Sequence, residues 1–74
     1  MTEEQKYENR LRIGSQVASI RKEKGLTIRQ LADRCGVSFQ NITKIENGKY
    51  NVSIDILGKL CEALNSELVI KEVK

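Results

Sequence analysis

The chain has 74 residues, with 13 Lys and Arg against 10 Asp and Glu, so its net charge is only +3. That length bounds it to one small domain, and 39% hydrophobic with 31% charged residues suits a folded helical protein and not a disordered one. A chain with no histidine and two isolated cysteines offers no metal-ligand set, and no apolar run is long enough to cross a membrane or to form the core of a signal peptide.

The first helix is expected to end near Lys24. Ile13, Val17 and Ile20 make one stripe at i, i+4, i+7, and Gly25 takes the left-handed position past the end. Its start has two readings. Thr2 and Gln5 fit a capping box, which gives a long helix with Tyr7 and Leu11 spaced for packing. The other reading makes residues 1–12 a loose arm. The second helix has cleaner signals: a capping box at Thr27-Ile28-Arg29-Gln30, then Ile28, Leu31, Ala32 and Cys35 at i, i+3, i+4, i+7, then Gly36 as the stop. Ser38 caps the third helix. Ile42 and Ile45 make its inner face, which leaves Phe39, Gln40, Thr43 and Lys44 on another, and Asn47-Gly48 ends it as a turn dipeptide. The fourth helix begins at Ser53, with Asp55 in its first turn to suit the dipole. Leu57, Leu60, Cys61 and Leu64 form its stripe, Ile54 and Ile56 widen it, and burial on more than one side is expected before Asn65 ends it. Cys35 and Cys61 read as small buried hydrophobes in a reducing compartment.

Residues Glu67 to Val73 alternate like a strand, with Leu68 and Ile70 facing one way and Val69 and Val73 the other. A lone strand in a helical chain has no ladder partner for its backbone groups, and a second copy would supply one. A core this small contributes only about 3–5 kcal/mol, which also favours a partner copy. The expectation is a homodimer through Leu68, Val69, Ile70 and Val73.

Two short helices joined by a glycine-containing turn, here Cys35-Gly36-Val37-Ser38, have helix-turn-helix geometry. Glycine permits a positive φ between them, Val37 plugs the angle, and small Ala32 lets the third helix approach. Leu26-Thr27-Ile28-Arg29-Gln30-Leu31-Ala32, Gly36-Val37-Ser38 and Ile42-Thr43-Lys44-Ile45-Glu46-Asn47-Gly48-Lys49, in this register, resemble the Cro and lambda-repressor type of helix-turn-helix, the xenobiotic-response-element (XRE) family. The likeness covers roughly residues 13–65. It implies an all-α, four-helix domain, here followed by a short C-terminal β-strand: an N-terminal extension at 1–12, a DNA-binding domain at 13–65 and a dimerising strand at 66–74.

The resemblance implies a cytoplasmic transcriptional repressor bound to double-stranded DNA, with the third helix in the major groove. By family position, Phe39, Gln40, Thr43 and Lys44 reach base edges. Ser38, Asn41, Asn47 and Lys49 hold the phosphate backbone, as do the amides of Thr27 and Ile28 at the start of the second helix. Gln pairs with adenine, Lys reaches guanine, and Thr or Phe packs on a thymine methyl. The family often has Gln where Ile28 stands, and usually a fifth helix where this chain has its strand-like tail. Strand-tailed members resemble antitoxins, so an antitoxin that holds a toxin protein and represses its own operon is an alternative. A protein-binding adaptor on the same fold is another. Glu46 reads as a cap or ion-pair member, since a carboxylate repels phosphate, and Arg21, Lys22 and Lys24 either line the DNA flank or form a solvated face. Catalysis is not expected: the chain has no histidine, no paired acid and base, and no phosphate-cradling loop. No cofactor is implied.

Overall fold

Four helices make up the regular structure of the computed structural model, which describes residues 1–74: α1 (Glu3–Glu23), α2 (Ile28–Cys35), α3 (Phe39–Glu46) and α4 (Ile54–Ala63). Each begins at an extended residue whose hydroxyl accepts a hydrogen bond from the amide three residues on. Thr2 serves α1, Thr27 α2, Ser38 α3 and Ser53 α4, at 3.0–3.2 Å. The two threonine caps are full capping boxes, with Gln5 and Gln30 accepting in return from the cap amides. Residues 3–12 are therefore helix, continuous with the rest of α1.

Burial follows the apolar periodicity. Val17 of α1, Leu31 of α2, Ile42 and Ile45 of α3, and Leu57 and Leu60 of α4 meet in one core, joined by Leu26, Val37 and Leu64 from the connections. α3 packs against α1 and α2, and α2 also packs against α4. The α1–α3 crossing depends on Gly14, because a Cβ at that position would run into the Ile45 carbonyl. The α2–α3 turn depends on Gly36, whose φ of +73° is the left-handed conformation that ends α2 and redirects the chain into Val37 and Ser38.

Three expectations need correction. Residues 66–74 form no strand: in the single chain no neighbouring backbone offers a ladder, and Val69, Ile70 and Val73 stand exposed. Leu68 is half exposed beside a shallow groove that includes Ile13, Val17 and Ile20. Ile54 does not widen the buried side of α4. It lies in the first turn at the edge of the stripe and is 73% exposed, while Ile56 is half-buried. The cysteines are half-buried free thiols, and packing around Cys61 pushes its thiol pKa up, which favours the neutral form.

Candidate nucleic-acid interface

The outer side of the α2–turn–α3 unit gathers most of the residues that the sequence singled out. Ile42 and Ile45 face the core, so the helical period turns Gln40 and Lys44 to solvent. Phe39 lies beside them, 38% exposed. Its ring is covered on one side by Arg29 from α2, whose Cζ lies 5.0 Å from the ring centroid. Thr43 is half-buried and donates its hydroxyl to the Phe39 carbonyl at 3.0 Å, which ties the hydroxyl to the helix's own backbone. Asn47, just past α3, donates its side-chain amide to the Thr43 carbonyl at 2.8 Å, the same carbonyl that accepts its backbone N–H at 3.2 Å, and so clamps the last turn of the helix.

The caps have a second property. Ser38 and Thr27 use their oxygens as acceptors for Asn41 and Gln30 amides, so each hydroxyl proton remains available for donation. Both residues are exposed, as is Lys49, while Asn41 is half-buried. Ile28, half-buried, does not project a polar group. It lines a wide, shallow groove of about 640 Å³ with Asn47 and with Ser15, Ser19 and Lys22 of α1. Ser15, Ser19 and Lys22 lie at i, i+4 and i+7, a polar stripe that was readable in the sequence but overlooked beside the apolar one.

α3 is held in place by a group the sequence misplaced. Arg21 is neither on a DNA flank nor solvated; it is 7% exposed. Its Nε and Nη2 donate to the two carboxylate oxygens of Glu46 at 2.7 and 2.9 Å, and its Nη1 donates to the Leu26 carbonyl at 2.8 Å. One guanidinium thus ties the end of α1, the α1–α2 turn and the end of α3 together. The hydrogen bond to Glu46 raises the Arg21 pKa and outweighs the lowering by burial. A raised folded-state value means that the stability linked to Arg21's own protonation is present below its unfolded pKa and is lost as pH rises through the folded one, in the strongly alkaline range. Glu46 is therefore an ion-pair member, as its charge suggested.

An α2–turn–α3 unit braced from α1, with a polar outer face on its second helix, defines a helix-turn-helix protein. Comparison with known proteins agrees. The helix-turn-helix family model matches residues 17–70. An uncharacterized HTH-type transcriptional regulator of Methanothermobacter thermautotrophicus is 43% identical over 47 residues, which span 64% of this chain and 68% of that protein. The HTH-type transcriptional repressor RghR of Bacillus subtilis is 46% identical over 52 residues, 69% of this chain but only 38% of the repressor's own length. Among solved structures, the restriction-modification controller protein C.AhdI of Aeromonas hydrophila superposes with a TM-score of 0.79 at 31% identity, over 82% of this chain and 88% of that one. The chain belongs to the XRE-type helix-turn-helix family of DNA-binding transcription regulators.

Proposed function

We propose that this protein is a cytoplasmic repressor that binds an inverted-repeat operator as a homodimer, with half-sites about one helical turn, roughly 34 Å, apart. Residues 13–65 bind DNA and residues 66–74 pair two copies. The observation that carries the reading is the division of α3: Ile42 and Ile45 are fully or nearly fully buried, while Gln40 and Lys44 are exposed beside Phe39. Phe39, Gln40, Thr43 and Lys44 meet base edges. With its hydroxyl turned to the Phe39 carbonyl, Thr43 offers its methyl group to a thymine. Ser38, Asn41, Asn47 and Lys49 hold phosphates, with the amides of Thr27 and Ile28 at the start of α2. The free hydroxyl protons of the caps favour that role, because phosphate oxygens accept and do not donate.

The test is selection from a random-sequence DNA pool at physiological salt. A short inverted repeat is expected. Lys44→Ala and Gln40→Ala should each reduce base discrimination by about 1–3 kcal/mol at one position of the selected site. Lys49→Ala should weaken all sequences alike and make the salt slope shallower by about one. Failure to enrich any sequence would move the reading to a protein partner.

A further inference from the structure

The first turn of α2 holds a residue that its own helix disfavours. Arg29 places a cation near the positive end of the helix dipole, where a carboxylate would be stabilising. Asp33 lies one turn further along, with the right sign and spacing to pair with it. Arg29 nevertheless makes no ion pair; those of the structure are Lys6–Glu3 and Arg21–Glu46. Its guanidinium lies instead over Phe39, across the turn on α3. A guanidinium uses its flat face for such stacking and keeps its N–H donors in the plane, pointing outward at the rim. An exposed cation without an ion-pair partner thus lies over the Phe39 ring, at the start of the helix that also presents Gln40 and Lys44 to solvent. A residue that its own helix disfavours, and whose one interaction reaches across the turn to the outer side of α3, is a candidate for a position set by function.

We propose that Arg29 is a specificity-determining residue that acts with Phe39 as one stacked unit. The guanidinium holds the ring where it packs on a thymine methyl and gives its in-plane donors to the neighbouring backbone phosphate. This rests on the reading of α3 as the base-contacting helix. Arg29 is a positioning residue for the base contact, and Phe39 makes that contact.

The experiment compares wild type, Arg29→Ala, Arg29→Lys, Phe39→Ala and the Arg29→Ala/Phe39→Ala double variant. Each is titrated against the selected operator, against operators with each base pair changed in turn, and over a range of salt. Arg29 and Phe39 are exposed, so thermal unfolding should show the fold retained in all variants. Arg29→Ala should relax preference at the same base pair as Phe39→Ala, by a factor of about two to five. The double variant should discriminate no worse there than Phe39→Ala alone. Arg29→Ala should also make the salt slope shallower by about one. Arg29→Lys should keep that slope and lose the discrimination, because an ammonium does not stack as a plane. Unchanged base preference in Arg29→Ala, or additive losses in the double variant, overturns the proposal while leaving the reading of α3 standing. A wild type that selects no sequence overturns that reading, and this inference with it.

Discussion

α3 and the tail make an instructive pair. Both carry apolar residues at regular spacing, yet Ile42 and Ile45 of α3 are 0% and 2% exposed, while Ile70 and Val73 of the tail are 102% and 93% exposed. A helix satisfies its backbone within itself, so its apolar stripe needs only a surface to lie on, and α1 and α2 provide one. An extended segment must find both an apolar surface and a backbone ladder, and this chain alone offers no ladder. Periodicity therefore reports which side of a segment calls for burial; it does not report what will cover it.

The contrast can be broken most severely at the anchor of α3. Glu46→Ala leaves the Arg21 guanidinium buried without its carboxylate, and such a loss costs about 3–5 kcal/mol. Urea denaturation should show that fall, and a change below about 1 kcal/mol would mean that the pair is solvated in solution. Replacing both partners, Arg21→Met with Glu46→Leu, should restore most of it, because the burial cost of the charges is removed together with their attraction. Gly14→Ala tests the other support of α3 by forcing α1 away from the Ile45 carbonyl, at a cost of about 1–3 kcal/mol in the same measurement. The smallest effect on stability is expected in the tail. Ile70→Lys, at a fully exposed position, should change the unfolding free energy of the single chain by no more than about 0.5 kcal/mol. If the tail pairs two copies, the same substitution should convert dimer to monomer by light scattering. A dimer that survives both Ile70→Lys and deletion of residues 66–74 would place the interface elsewhere.

Most of the fold was legible because its signals are local. Thr27 and Gln30, Ser38, Ser53 and the glycine turns each act within a few residues, and the stripes of α2 and α3 contain the residues that became the core. What was not legible depends on distance in sequence. Arg21 and Glu46 are far apart in the chain, and nothing near Arg21 shows that its neighbours will exclude water. Gly14 reads as a mild helix breaker until α3 crosses over it. Ile54 fits the apolar count of α4 but lies at the end of the helix, beyond the reach of the other helices. At the candidate interface, position along α3 sorted inward from outward residues, whereas the stacking of Arg29 on Phe39 required the angle between two helices.

The two-sided construction of α3 also bears on how such a protein can change. Glu46, Ile42 and Ile45 bind the helix into the domain, while Gln40 and Lys44 take no part in that core. Exchange of an exposed residue away from such packing typically shifts stability by less than about 0.5 kcal/mol. A gene duplicate could therefore drift at Gln40 and Lys44 without passing through an unfolded ancestor, and the two copies could part company over their targets while sharing one scaffold.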